Sequence, residues 1–128
     1  MVTERGSITA RRAAAARAIE TEKPKGERML SDPYAAAFTD EEGRAFMENL
    51  DRLFPGVHLT HVSRAWAIDE HLKQEVVAGT RQVVVLGAGY DSSPHSMEEL
   101  QRTGVRVFEV DEAITSGQKQ AKVKEILG

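Results

Sequence analysis

The chain has 128 residues, of which 41% are hydrophobic and 29% are charged, as in an ordinary soluble globular protein. Its formal net charge of -3 gives no reason to expect nucleic acid or an anionic membrane surface as a partner. The absence of cysteine excludes disulfides, zinc-thiolate sites and cysteine nucleophiles. We find neither an apolar run of membrane-spanning length nor a signal-peptide core, so we expect a cytoplasmic protein.

Residues 1–80 predict a helical N-terminal segment. An alanine-rich stretch over 9–22 has high helix propensity, and Thr9 is its expected N-cap. The arginines of this stretch, Arg11, Arg12 and Arg17, are expected to form a solvated face.

Further helices are predicted after this first one. Asp32 is expected to cap a second helix, with Pro33 at its first helical position and a division of the run near 40–43. Another helix is predicted from Ser63, with one apolar stripe. That stripe contains Ala65, Ile68, Leu72 and Val76.

The most informative stretch of the chain is a short strand followed by a glycine turn. Residues 83–86 are all apolar and mostly β-branched, which predicts a strand buried on both faces. Gly87 and Gly89 follow at once, and without Cβ atoms they let the backbone approach a ligand closely. A crossover helix over 94–102 then leads to a second strand over 105–110.

Asp111 ends the second strand and precedes a predicted helix over 112–127. A strand, glycine turn, helix, strand and carboxylate form the first half of a Rossmann-type nucleotide site, in which Asp111 can accept hydrogen bonds from ribose hydroxyls. Ser92 replaces the third glycine of the dinucleotide fingerprint, and nothing basic is placed to hold a pyrophosphate. Asp91 suits a ligand that carries an ammonium group. S-adenosylmethionine therefore fits better than a nicotinamide dinucleotide, while the plainest alternative is that the two glycines only make a turn.

Two parallel strands make a small sheet with two open edges. We therefore expect an incomplete Rossmann-like α/β fold, in which residues 81–128 form the first part of a cofactor-binding domain beside the helices of 1–80. Exposed apolar surface on such a sheet predicts self-association.

Several motifs, taken together and in order, resemble the leucine carboxyl methyltransferase family of S-adenosylmethionine-dependent O-methyltransferases. The resemblance covers essentially the whole chain, and the glycine loop matches almost residue for residue. The matching stretches are the helix over 9–22, Ser31-Asp32-Pro33-Tyr34-Ala35, Ser63-Arg64 with Ile68-Asp69-Glu70, residues 81–91, and Phe108-Glu109-Val110-Asp111.

The resemblance implies a class I methyltransferase fold and a role for each matching residue. Arg64 would pair with the methionine carboxylate of S-adenosylmethionine, for which a guanidinium gives a bidentate match. Gly87 and Gly89 would let the backbone lie along the cofactor, with Asp91 near its methionine end. Asp111 would hold the ribose. The methyl acceptor implied is a small molecule or a carboxylate.

The chain departs from the family pattern at two places. Residues 92–97 lack the arginines that the family usually has after the loop, and residues 112–119 are a looser match. Family members are also considerably longer, so we expect a truncated enzyme, with a non-catalytic fragment of one as the alternative and a nicotinamide dinucleotide domain as the weaker one.

Neither a metal site nor a catalytic residue is predicted. His58, His61 and His71 have no carboxylate that completes a ligand spacing, so we expect surface or packing histidines. No residue stands out as a general base.

Overall fold

A computed structural model describes residues 2–3 and 6–128 of the chain, which form a mixed α/β structure. Its elements are, in chain order, β1 (Val2–Thr3), β2 (Gly6–Ser7), α1 (Ile8–Thr21), α2 (Ala35–Phe38), α3 (Glu41–Leu53), α4 (His58–Val77), β3 (Gln82–Leu86), α5 (Ser93–Ser96), α6 (Glu98–Arg102), β4 (Arg106–Val110) and α7 (Ala113–Leu127). None of the helices in the described ranges is long and apolar enough to cross a membrane.

Helix α1 is capped by Ser7, so the prediction of Thr9 as its N-cap was wrong. Ser7 has extended backbone angles, and its hydroxyl oxygen accepts a hydrogen bond from the Ala10 N–H at 3.3 Å. Because Ser7 also pairs with β1 as the last residue of β2, the helix begins where that short strand ends.

The alanines of α1 are buried because three other helices pack around it. Ala15 and Ala16 lie against Met47 of α3, and all three side chains are essentially inaccessible. Ala14 contacts the ring of Phe38 from α2, which stacks on Tyr90 with a centroid distance of 5.3 Å. Small side chains on α1 therefore let its neighbours approach closely.

The arginines of α1 are not a solvated face, and that prediction was also wrong. Arg11 is 5% exposed and pairs with Asp40 at 2.9 Å. The guanidinium of Arg12 lies 3.6 Å from the centroid of the Phe46 ring. The side chain of Arg17 is only 15% exposed, in an ion pair described below. Neighbouring elements cover the long arginine stems because the alanines between them leave room.

Helix α2 begins at Ala35 with Tyr34 as its N-cap, so the prediction of Asp32 as the N-cap and of Pro33 at the first helical position was wrong. The turn before α2 is instead held by Asp32. Its Oδ1 accepts hydrogen bonds from the N–H groups of Tyr34 and Ala35 at 3.0 and 3.1 Å. The following helical run is divided as predicted, because the backbone is extended at residues 39–40. Asp40 then starts α3 by accepting a hydrogen bond from the Gly43 N–H at 2.9 Å.

Helix α4 begins at His58, earlier than the predicted Ser63. The turn before it is held by Asp51, whose Oδ1 accepts from the Gly56 N–H at 2.9 Å and lies 2.8 Å from His58 Nδ1. Since this turn closes at residue 57, the helix starts directly after it.

Strands β3 and β4 pair in parallel, from Gln82 opposite Arg106 to Leu86 opposite Val110. The crossover between them is two short helices rather than the single predicted one. Met97 has extended backbone angles and breaks the helix there, because its side chain turns into the core, where it is 6% exposed.

The β3–β4 sheet is covered on one face only, so the prediction of strands buried on both faces was wrong. The covered face packs on a cluster made by Val76, Met97 and Leu100. On the other face Val84 and Leu86 are 59% and 77% exposed. The prediction of exposed apolar surface on this sheet is thereby confirmed.

Candidate functional site

The loop after β3 adopts a conformation that its glycines make possible. Gly87 and Gly89 have φ angles of +63° and +51°, in the left-handed region that side chains rarely adopt. The N–H groups of Gly87 and Ala88 both donate to the Val110 carbonyl, at 2.8 and 3.3 Å. The loop is thus tied to the carboxyl end of β4, and Gly89 lies against Ala10 of α1.

Asp111 joins the loop to the end of β4. Its Oδ2 accepts a hydrogen bond from the Gly89 N–H at 2.5 Å, and its Oδ1 accepts from the Glu112 N–H at 2.7 Å. The carboxylate therefore lies where the two parallel strands end, which is the edge at which open α/β sheets bind ligands.

A cleft of about 820 Å³ opens at this edge, between the sheet, α1 and α4. Its lining includes all of the residues that were predicted from the sequence to bind the cofactor: Arg64, Gly87, Gly89, Asp91 and Asp111. Residues from both predicted segments of the chain therefore line a single cavity of a size usual for small-molecule sites.

Arg17, which sequence reasoning did not select, also lines this cleft. Its Nε donates to Asp32 Oδ2 at 2.9 Å and its Nη2 donates to the Tyr90 carbonyl at 2.7 Å. The side chains of Arg17 and Asp32 are only 15% and 8% exposed. This pair ties α1 to the glycine loop. A helical arginine in an alanine-rich stretch gave no signal of such a role.

One part of the cleft is basic. Arg64 and His61 lie one turn apart on α4 and line the cavity with Arg17. Burial, together with the charges of Arg64 and Arg17, lowers the pKa of His61, so its imidazole is neutral at pH 7. Among the described residues, no hydrogen-bond partner reaches the buried Nδ1 of His61. This part of the cleft suits an anionic group.

Another part of the cleft is acidic. Ser93 Oγ lies 2.8 Å from Asp91 Oδ1 and 3.1 Å from Asp69 Oδ1. Burial raises the pKa of Asp69, and the nearby negative charges of Asp91 and Asp32 raise it further. A cleft with separate acidic and basic parts suits a ligand that carries both an ammonium and a carboxylate.

The histidines do not assemble a metal site within residues 6–128. His58 pairs with Asp51, His61 lines the cleft, and the side chain of His71 is 73% exposed beside Glu75. No group of three or more potential metal-ligating side chains is found in that part of the chain.

The fold and the cleft define the class of the protein. A parallel strand pair with a positive-φ glycine loop after the first strand and an aspartate after the second is part of a Rossmann-like fold of the class I methyltransferase type. The chain belongs to the leucine carboxyl methyltransferase family, whose model matches residues 10–128. The resemblance inferred from the motifs is thereby confirmed.

Curated relatives agree with this assignment. The chain is 36% identical over 117 residues to a Frankia alni protein whose provisional name is S-adenosyl-L-methionine-dependent methyltransferase, covering 85% of this chain and 40% of the relative. A Mycobacterium tuberculosis protein with the same provisional name is 34% identical over 121 residues, covering 86% of this chain and 39% of the relative. The chain therefore spans about two-fifths of the length of the relatives it matches.

Proposed function

We propose that this chain provides the N-terminal part of the cofactor site of an S-adenosylmethionine-dependent O-methyltransferase. The observation that carries the proposal is the single cleft lined by Arg64, Gly87, Gly89, Asp91 and Asp111. Membership of the leucine carboxyl methyltransferase family and the names of the relatives support the choice of S-adenosylmethionine as the ligand.

The charges of the cleft fit the amino-acid end of S-adenosylmethionine. Arg64, in the basic part, would pair with the carboxylate of the methionine moiety. Asp91, in the acidic part, would accept hydrogen bonds from the ammonium group. The unpartnered Nδ1 of His61 is consistent with a site that is completed by a ligand.

The nucleoside end would lie along the loop after β3. Gly87 and Gly89 leave backbone surface without side chains, and the space beside Gly87 is open. Asp111 would accept hydrogen bonds from the ribose hydroxyls through the lone pairs that its contacts with Gly89 and Glu112 leave available.

S-adenosylmethionine supplies a methyl group on a sulfonium: the methyl–sulfur bond breaks as the methyl–oxygen bond forms, and S-adenosylhomocysteine leaves. The residues of this chain would contribute by orienting the cofactor and by excluding water, which are the main requirements of an in-line displacement. The proposed acceptor is a small molecule or a carboxylate, and the proposed location is the cytoplasm.

Self-association through the incomplete sheet is part of the proposal. Val84, Leu86, Phe108 and Val110 are each about half or more exposed. Together they form an apolar patch that a second copy of the chain could cover.

A second candidate function is cofactor binding without methyl transfer. It is kept because the residues assigned above would bind the cofactor, whereas no general base is assigned among the described residues. Single-turnover assays with S-adenosylmethionine and candidate carboxylate acceptors would separate the two functions, since only the first releases S-adenosylhomocysteine.

Titration calorimetry with S-adenosylhomocysteine tests the proposed site. We expect micromolar binding by the natural chain and a loss of at least about tenfold in Asp111→Ala, which corresponds to about 1.4 kcal/mol. The matched control is Glu98→Ala, because Glu98 is an exposed carboxylate on α6 whose ion-pair partner in the described part of the chain is the exposed Arg102. Urea melts of each variant check that the loop still folds without Asp111.

Two outcomes would contradict the proposal. One is no binding of S-adenosylhomocysteine by a sample shown to be folded. The other is displacement of bound S-adenosylhomocysteine by NAD+ at lower concentration than by S-adenosylmethionine, which would favour the dinucleotide alternative.

A further inference from the structure

The hydroxyl of Ser93 lies between two carboxylates in the cleft. Its Oγ is 2.8 Å from Asp91 Oδ1 and 3.1 Å from Asp69 Oδ1. A serine hydroxyl has one proton and can donate one full hydrogen bond, so it cannot satisfy both acceptors. The shorter contact identifies Asp91 as the acceptor. The contact with Asp69 is then a hydrogen bond only if the Asp69 carboxyl carries a proton and donates it to Ser93 Oγ.

The surroundings of Asp69 favour its protonated form. Burial raises the pKa of its carboxyl, and the negative charges of Asp91 and Asp32 raise it further. Two groups oppose this shift of the pKa. A hydrogen bond donated by Ser93 would lower it, but Ser93 donates to Asp91 instead, and the ammonium of Lys73, one turn along α4, is held by Glu70 at 2.9 Å.

Three other basic side chains that line the cleft, Arg17, Arg64 and His61, do not pair with Asp69. Arg17 is engaged by Asp32 and by the Tyr90 carbonyl. Arg64 and His61 also line the cavity, and no hydrogen bond or ion pair joins either of them to Asp69 in the described part of the chain.

We infer that in mildly acidic solution Asp69 holds a proton in the free protein, donates it to Ser93 so as to orient Asp91, and releases it to solvent when a ligand's ammonium binds beside Asp91. The inference rests on the proposed function, because the ligand concerned is the amino-acid end of the proposed cofactor. The ammonium has three N–H donors and a positive charge, so it can replace the lost proton both as a hydrogen-bond donor and electrostatically. Asp69 is thus a positioning residue that acts through Ser93.

Proton release on binding has a measurable consequence. Below the pKa of Asp69, affinity for S-adenosylhomocysteine should rise with pH by up to about tenfold per unit, the limit for one linked proton. Between about pH 5 and 7 the ligand keeps its ammonium and carboxylate charged, so the ligand itself adds no such dependence.

The experiment is a set of calorimetric titrations in His61→Gln, so that the neighbouring imidazole cannot contribute a second proton. Titrations in buffers of different ionisation enthalpy count the protons released. We expect release in His61→Gln and none in the double variant that also carries Asp69→Asn, whose amide can still donate to Ser93. Methylthioadenosine, which lacks the amino-acid end, is the control ligand and should bind to both without proton release.

A second measurement needs no ligand. The Asp69 side-chain carboxyl carbon, assigned by its disappearance in Asp69→Asn, should titrate by NMR above the ordinary aspartate value of about 3.9. A midpoint at or below that value overturns the inference. So does binding of S-adenosylhomocysteine without proton release, an outcome that leaves the proposed function intact. Failure of both ligands to bind would instead refute the proposed function, and the carboxyl titration would still decide whether Asp69 holds the proton.

Discussion

Alanine substitutions at the two glycines of the loop separate backbone strain from steric contact. Both glycines have positive φ angles, +63° at Gly87 and +51° at Gly89, so either substitution should cost about 1–2 kcal/mol of unfolding free energy. A Cβ at Gly87 would meet nothing within 4 Å. A Cβ at Gly89 would lie 3.2 Å from the Cβ of Ala10, closer than ordinary van der Waals contact.

The magnitudes follow from that difference. Gly87→Ala should lose only the unfolding free energy that backbone strain costs. Gly89→Ala should lose about 1–3 kcal/mol more, the usual cost of overpacking, because α1 must shift. Urea denaturation followed by circular dichroism measures both values on one scale. A matched control lies outside the site: Gly104 has a φ of +66° and open space around its Cβ position, so Gly104→Ala should show strain alone. Equal losses at Gly87 and Gly89 would refute the close packing of α1 on the loop.

Three other predictions concern the Arg17–Asp32 ion pair, an acid-sensitive carboxylate and the open sheet. Arg17→Ala should lower the free energy of unfolding by about 3–5 kcal/mol in urea melts, because it leaves the buried charge of Asp32 without its partner. The control Arg44→Ala breaks an exposed pair and should cost under about 1 kcal/mol. Similar losses in the two variants would contradict the burial of the first pair. Burial alone would raise the pKa of Glu20, but a lysine ammonium and a backbone N–H lower it below its ordinary value of 4.5, so the protein should lose stability as pH falls below that value. Glu20→Gln should reduce this acid dependence in melts between pH 3 and 6, and an unchanged dependence would refute the assignment. Phe108→Ser should shift any dimer seen by analytical ultracentrifugation toward monomer, because Phe108 is 48% exposed on the open face; an unaltered dimer would place the interface elsewhere.

The local features of the site were predictable from sequence because they depend on short-range chemistry. Two glycines after a β-branched run required a tight turn, and the chain between Gly89 and Asp111 has the length of one crossover. Asp32 before a proline predicted a side chain that accepts hydrogen bonds from nearby N–H groups, and the structure shows those bonds in the turn before α2 rather than at its N-cap. The family resemblance then named Arg64 from another part of the chain, and the structure places it in the same cleft.

The remaining features depend on packing that sequence patterns do not encode. Arginines usually stay solvated, so the burial of Arg11 and the low exposure of the Arg17 side chain follow only from the neighbours that surround α1. An apolar run does not tell whether one or both faces of a strand are covered, so the exposure of Val84 could not be predicted from its own segment. The contact between Ser93 and Asp69 joins two elements that are far apart in sequence, and it appears only once α4 and the loop are placed together.

The most direct measurement is an NMR titration of the 15N-labelled chain with S-adenosylhomocysteine. We predict that the amide resonances of Gly87, Gly89 and Glu112 shift with one common affinity, because these N–H groups belong to the loop and to the end of β4. Those of Met47 and its neighbours in α3 should stay unchanged, since Met47 packs on Ala15 and Ala16 and is not among the described residues that line the cleft. Shifts confined to α3, or no shifts at all in a spectrum of folded protein, would contradict the assignment of this cleft as the cofactor site.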